Sequence, residues 1–417
     1  MGAPIGRPLA RGAGDDSDLM MNSIIVLSAC FLACISISAT RADVPATVVF
    51  KAGEDGYKIF RIPAIVRAAN NDLLAFCEAR EGGDASEIDL VLKRSSDDGK
   101  TWGKIEVVQE SDDFISLYAD KDRKMSIGNP APVVDQMDFD HPGRLWLPFT
   151  LENDRVFVTY SDDSGETWSI RREITKDVKK DEMGWYATGP VHAIQLQHVP
   201  YRGRLVIPSD HGMGGDGEDQ GPYGAHAIFS DDHGKTWRIG ALDETYEDGL
   251  NANETTVVEL NDGSLYFNTR DQHGKAPGTR GESWSMDGGE SFDSRDSDWK
   301  AFRPIKGVLD LPVVQGALLR VSENLIVLSG PDENGPSGKG RSDMRIRYST
   351  DEAETWQDGP IIHTGPAAYS DMVLLSEGSV GLLFEAGSPN QKNAYQRIQF
   401  SVIECEKFHT STICRNL

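Results

Sequence analysis

A polar octapeptide returns five times along this chain. It reads SSDDGKTW at 95–102, SDDSGETW at 161–168, SDDHGKTW at 230–237, SMDGGESF at 285–292 and STDEAETW at 349–356. Successive copies begin 55 to 69 residues apart. In each, Ser and Asp suit the backbone N–H groups of a tight turn, and in four of the five a Gly permits positive φ. The terminal Trp or Phe can fold back as a plug between neighbouring sheets. Self-similarity at a fixed period signals copies of one structural unit and has to be explained before length is converted into a domain count.

A second pattern runs in phase. Short apolar runs follow turn signals: NDLLAF at 71–76, GRLWLPF at 143–149, GRLVIP at 203–208, DGSLYF at 262–267, ENLIVL at 323–328 and EGSVGLLF at 377–384. Their first apolar residues are Leu73, Leu145, Leu205, Leu265, Leu325 and Val380, and the middle intervals are each 60 residues. The runs are too short for core helices and are bounded by Gly, Asn and Asp, so they predict strands. No stretch sustains a 3.6-residue period. Six units of about 60 residues, each with room for four short strands, predict an all-β, six-bladed β-propeller with four antiparallel strands per blade, the radial solution to exposed sheet edges. Six units fill the chain after its N-terminal segment and leave no room for an added lectin domain.

Residues 23–39, SIIVLSACFLACISISA, form the only long apolar run. With small residues suited to cleavage after Ala39 or Ala42, the run predicts a secretory leader, so 1–42 is N-terminal extension and signal and 43–417 the propeller. An uncleaved anchor is the alternative, and LSAC at 27–30 leaves lipid attachment at Cys30 as a minor option. The segment before the run suits a leader poorly, which points to a start at Met20 or Met21. The reading is a secreted or periplasmic protein with no membrane span in its mature form. Three cysteines then remain: Cys405 and Cys414, close enough to pair, and Cys77 in an apolar run, an inert core residue. No Cys/His spacing suggests zinc. The net charge of −24 argues against nucleic acid or an anionic membrane as partner. An anionic substrate would need local arginines to overcome that field.

The octapeptides resemble Asp-boxes, and YKIFRIPAIV at 57–66 is similar to the Arg-Ile-Pro segment that opens the sialidase (neuraminidase) family. The resemblance covers essentially all of 44–400. It implies a bacterial-type retaining exo-α-sialidase that removes terminal sialic acids from sialylated glycans, with no metal or cofactor. Arg61, Arg270 and Arg341 match the three arginines that grip the substrate carboxylate, for which the planar, always-charged guanidinium is suited; Arg345 and Arg347 are rivals for Arg341. Tyr369, in GPAAYSDMVLL, matches the nucleophile. A phenol suits an anomeric carbon that carries a carboxylate, because an attacking carboxylate would be repelled. Glu254, in LNANETTVVEL, matches the base that activates it. Asp84, in a loop after two glycines, matches the general acid, with Glu87 and Asp89 as competitors; closure of that loop would expel water and raise the acid's pKa.

Glu385 is expected to orient Arg61, and Arg80 to add a positive contact to substrate. Asp210, with His211, is a candidate reader of the glycerol or N-acyl arm. Gln315 lies in LPVVQGALL, which with GNPAPVVD at 128–135 resembles pocket-lining segments, and Trp185 and Tyr186 are candidate stacking surfaces. Asn253-Glu254-Thr255 is a glycosylation sequon that a catalytic Glu254 would make incidental. Val191 replaces a glycine in a Gly-Pro-Gly segment, and Ala353 replaces the glycine of the fifth box, which predicts an altered turn there. The alternatives left open are a hydrolase for another 2-keto sugar acid (KDN or Kdo glycosides), a trans-sialidase and a non-catalytic carbohydrate-binding propeller.

Overall fold

All six apolar runs are strands: Leu73–Arg80, Arg144–Leu151, Leu205–Met213, Leu265–Asp271, Leu325–Pro331 and Val380–Ala386. Nearly every residue in them is buried. Each lies inside its sheet with both faces covered, which is why they read as continuous apolar runs rather than alternating ones. The computed structural model describes residues 44–408 except 216, 306–308, 310, 333–334, 336–339 and 377. The expected leader, Cys30 and the Cys405–Cys414 pairing lie outside the described residues. Among the described residues no helix is long and apolar enough to cross a membrane.

The architecture is all-β, antiparallel and propeller-like, but the sheet count differs from six separate blades. Hydrogen bonding gives two four-stranded, two five-stranded and one seven-stranded sheet. The seven-stranded sheet arises because one 18-residue strand, Gln357–Leu374, pairs along its first part with Ser342–Ser349 and along its last part with Val380–Ala386. The first strand, Ala46–Lys51, adds to the far edge of the same sheet. It pairs antiparallel with Arg397–Ile403, Ala46 opposite Ser401 and Lys51 opposite Arg397. The chain thereby covers with its own first strand an edge that would otherwise be open to foreign strands. Phe50 anchors this closure: it is fully buried, 5.3 Å from the Phe60 ring, in a cluster with Ile398 and Phe400. Phe50→Ala is therefore expected to lower unfolding stability by about 3–5 kcal/mol, read from urea denaturation.

The octapeptides are turns after the third strand of five units, and one hydrogen-bond pattern holds them. In the first, the Ser95 hydroxyl donates to Asp97 at 2.8 Å and accepts the Gly99 N–H at 2.9 Å, while Asp97 accepts the Thr101 N–H at 2.8 Å and its hydroxyl at 2.6 Å. Four of their five aromatics reach neighbouring sheets: Trp102 against Phe400, Trp168 against Phe76, Trp237 against Trp146 and Trp356 against Tyr266, while Phe292 packs on Phe267 and Phe302 of its own unit. The fifth turn is not altered, contrary to the expectation from its missing glycine. Ala353 takes φ 66°, close to Gly99 at 83°, and its N–H reaches Ser349 at 3.0 Å. The left-handed backbone costs Ala about 1–2 kcal/mol, and burial of its methyl group beside Trp356 offsets part of that.

These turns make stability acid-sensitive. Hydrogen bonds from Thr101 and Thr167, side chain and backbone, hold the Asp97 and Asp163 carboxyls down at about 2, against about 3.9 in an unfolded chain. A depressed folded-state value favours folding above the unfolded value, and that contribution is lost as pH falls through the folded one. The urea midpoint is therefore expected to drop between about pH 4 and pH 2, and Asp97→Asn to flatten the drop.

Candidate active site

A polar cleft of about 310 Å³ gathers residues from several sheets. Arg61 comes from strand Ile59–Arg67, Glu78 and Arg80 from Leu73–Arg80, Glu254 from Ala252–Glu259, Arg270 from Leu265–Asp271 and Tyr369 from Gln357–Leu374. Asp84 and Arg341 come from loops. Four of the contributing strands lose regular register where they meet the cleft. The shifts lie between Arg61 and Ala64, between Met183 and Tyr186 (around Trp185), between Ala252 and Thr255 (around Glu254), and between Ala367 and Ser370 (around Tyr369). A bulge breaks the in-out alternation and re-aims a side chain, so these irregularities turn residues of otherwise regular strands into the opening. The first is strained: Ile62, β-branched, sits at φ 58°. Its N–H is held at 3.0 Å by a Glu385 carboxylate oxygen.

At the floor, the Tyr369 hydroxyl makes a short hydrogen bond to Oε1 of Glu254. Arg270 donates to Oε2 of the same carboxylate at 2.7 Å and to the Tyr369 oxygen at 3.3 Å. Burial, then the Glu254 charge, pushes the Tyr369 phenol well above its ordinary value, against the pull of Arg270, Arg61 and Arg341. The phenol thus keeps its proton, which is directed at the Glu254 carboxylate.

Arg61 is 6% exposed and donates from Nε to Glu385 at 2.6 Å. Its guanidinium lies 3.9 Å from the Tyr395 ring centre and 5.0 Å from that of Tyr369. Burial works against its charge, but Glu385 outweighs that and the guanidinium is held more firmly protonated than usual. Arg341 donates to the Val313 carbonyl at 3.0 Å, with its guanidinium 5.8 Å from the Tyr369 ring. Arg61, Arg270 and Arg341 all line one cleft and offer it three cationic forks. Arg345 instead turns to Asp332, at 2.7 Å.

Asp84 sits on the loop between Leu73–Arg80 and Ile88–Ser95, with an 87% exposed side chain that pairs closely with Arg80 and lies 3.9 Å from Arg61. Despite that exposure, the surrounding cleft partly desolvates its carboxyl and works upward, but Arg80, then Arg61 and Arg341, bring it below the ordinary range. The raised value expected of an acid is therefore not found, because Arg80 above all, with Arg61 and Arg341, holds the Asp84 anion.

Other sequence candidates fall elsewhere. Asp210 is fully buried behind the cleft wall, where one oxygen accepts the Asn253 amide at 2.7 Å. Burial and the charge of Glu254 push its carboxyl well up. It supports Asn253 rather than facing the opening, and the sequon asparagine is itself 5% exposed. Gln315 clamps the backbone beside Tyr369, donating to the Ser370 carbonyl at 2.9 Å and accepting its N–H at 3.0 Å. His211 is buried against His226 and Tyr246, and burial brings it down to about 3. Tyr186 is buried with its hydroxyl on the Val178 carbonyl, whereas Trp185 does line the cleft. Arg80 is not free for a ligand alone, since Glu78 accepts its Nε at 2.9 Å.

Glu78 and Tyr395 were missed by sequence reasoning. Glu78 is 3% exposed, holds Arg80 and accepts the Asn129 N–H at 2.9 Å. Glu78 and Arg80 share one strand face, and that two-residue spacing of opposite charges in a buried strand was the available signal.

The repeat turns and the cleft together decide the family. The BNR repeat-like domain profile matches residues 71–382. The chain belongs to this family. Among similar proteins, the sialidase of Micromonospora viridifaciens is 30% identical over 347 residues, covering 81% of this chain and 51% of that protein. The exo-alpha-sialidase of Aspergillus fumigatus is 29% identical over 383 residues, covering 82% and 83%. The chain thus spans about half the length of the Micromonospora relative. Among solved structures, the Hadza microbial sialidase Hz136 shares the fold, with a TM-score of 0.69, 24% identity and coverage of 87% of this chain and 69% of that one.

Proposed function

We propose that this BNR-repeat chain is an exo-α-sialidase acting with retention on terminal sialic acids of glycoconjugates. The observation that carries the reading is the Tyr369 hydroxyl bonded to Glu254 in a cleft that also holds Arg61, Arg270 and Arg341. The arginines receive the substrate carboxylate, each charged hydrogen bond adding about 1.5–3 kcal/mol. Tyr369 passes its proton to Glu254 and its oxygen attacks the anomeric carbon. Asp84 gives a proton to the departing glycosidic oxygen as that bond breaks. Water then displaces the tyrosine, with Asp84 taking the water's proton, so configuration is retained.

A substrate carboxylate on Arg61 and Arg341 offsets two of the charges that lower Asp84, and moving the exposed Asp84 loop away from Arg80 removes the largest, which raises the carboxyl toward an acid's role. Glu385 and Gln315 position Arg61 and Tyr369 rather than touching substrate. We read the seven-stranded sheet as two blades sharing Gln357–Leu374, for six in all. The cluster that packs Val327 and Ile346 against Leu382 and Phe384, from opposite halves of that sheet, supports this. We also read 1–42 as a removed leader and the protein as secreted or periplasmic.

The test is hydrolysis of a fluorogenic N-acetylneuraminide beside an Asp84→Ala control. Turnover is expected, reduced in the control by roughly 10²–10⁴-fold, with the α-anomer released first in proton NMR. Absence of turnover on this substrate, with turnover on a KDN or Kdo glycoside, would reassign the sugar; binding without turnover on any of them would leave a carbohydrate-binding propeller.

A further inference from the structure

Away from the cleft, Asp135, Asp138 and His233 bring one ligand atom each to within 4.8 Å of one another. Asp135 ends the short strand Val133–Asp135, Asp138 lies in the turn that follows, and His233 belongs to the third octapeptide, in a neighbouring sheet. None of the three lines the cleft.

Asp135 is fully buried. Its Oδ1 accepts the Met137 and Asp138 N–H groups, each at 3.0 Å, and the Gln195 amide at 2.5 Å. Its Oδ2 meets Nδ1 of His233 at 2.8 Å. Asp138 is 4% exposed; its Oδ1 accepts the Asp140 N–H at 2.9 Å, but its Oδ2 is buried with no hydrogen-bond partner. An unpaired buried carboxylate oxygen is costly and calls for a partner. Burial works upward on the Asp138 carboxyl, but the backbone N–H groups of Asp140 and His141, and after them the His233 and His141 imidazoles, bring it below its ordinary value. His233 is about one-third exposed, which leaves a route from solvent.

We propose that Asp135, Asp138 and His233 bind a divalent cation of the zinc type, which ties the second repeat unit to the third. Two carboxylate oxygens and one imidazole nitrogen form an oxygen–nitrogen set suited to zinc, with the remaining coordination position left to water. The cation takes the place of the His233–Asp135 hydrogen bond, gives the bare Asp138 oxygen its partner, and brings positive charge to two buried carboxylates. Because binding requires both units in place, it stabilises the folded chain by mass action.

The test uses the full chain, stripped with EDTA and dialysed, then titrated with zinc chloride by calorimetry and melted at rising free zinc. One zinc per chain is expected, with Tm climbing as zinc rises. Asp138→Asn and His233→Ala are expected to weaken binding by more than about tenfold and to abolish the Tm response. The metal-free Asp138→Asn protein should keep a single cooperative melt and the parent's far-UV circular dichroism, even with a lower Tm, so its loss of binding is not loss of fold. Binding of undiminished affinity in Asp138→Asn, no stoichiometric binding, or a response to calcium but not to zinc would each overturn the proposal, leaving His233 as a hydrogen-bond partner of Asp135.

Discussion

Tyr369→Phe is expected to lower kcat by roughly 10⁴-fold or more, the scale of losing a nucleophile that acts as one unit with its base. KM should change far less, because Arg61, Arg270 and Arg341 all remain. The fold should persist as well. Phe fills the same volume, and Glu254 keeps its 2.7 Å bond to Arg270 after losing the phenol. Removing one hydrogen-bond partner from a buried carboxylate costs about 1–3 kcal/mol. Steady-state kinetics with a thermal melt separate the two effects. A kcat within tenfold of the parent, in a folded protein, would remove Tyr369 from the chemistry and with it the covalent route.

The second large effect is expected at a residue that touches no substrate. Glu385 is fully buried and serves three donors: Arg61 Nε at 2.6 Å, Ile62 N–H at 3.0 Å and Tyr369 N–H at 3.3 Å. One carboxylate thus fixes a cationic fork, a strained backbone and the strand that carries Tyr369. Glu385→Ala leaves the Arg61 charge buried without its counter-ion, a loss of about 3–5 kcal/mol. Glu385→Gln keeps the shape and loses the charge, so it should destabilise less, yet it should still raise KM because Arg61 is no longer held in place. Equal KM values for the Glu385→Gln variant and its parent would mean that Arg61 does not need this partner to grip the ligand.

The sequence revealed most where burial imposes a simple pattern. Leu73, Leu145, Leu205, Leu265, Leu325 and Val380 open strands covered on both faces, and the turn residues that bound these short runs, three intervals of which are 60 residues, separate them from buried helices. It failed at Gln357–Leu374. That segment carries Gly359, Pro360, Gly365 and Pro366, which signal turns, yet it runs as one strand through two halves of a sheet. Tyr369, Glu254, Arg61, Arg270 and Arg341, which the resemblance implied as a set, do line one cleft, because the strands and loops that carry them open on the same side of the sheets. Asp210 and Gln315 were placed on the wrong side of the wall for a physical reason. Strand alternation tells which face a residue takes only while register holds, and it shifts in strands beside both, at Glu254 and at Tyr369. Asp135 and His233, 98 residues apart, form no local motif at all.

The closure of the last sheet by the first strand sets a clock on biosynthesis. Ala46 must wait for Ser401, 355 positions later, before it has a partner. At about 5–20 residues per second that wait lasts roughly 20–70 s on the ribosome. Throughout it, Val49 and Phe50, buried in the finished protein, are held on a strand with nothing to pair with. The repeat units can form in order as they emerge, but this sheet gains its first strand only after Arg397–Ile403 has left the ribosome, so the nascent chain carries the unpaired Ala46–Lys51 segment through the synthesis of every unit between them.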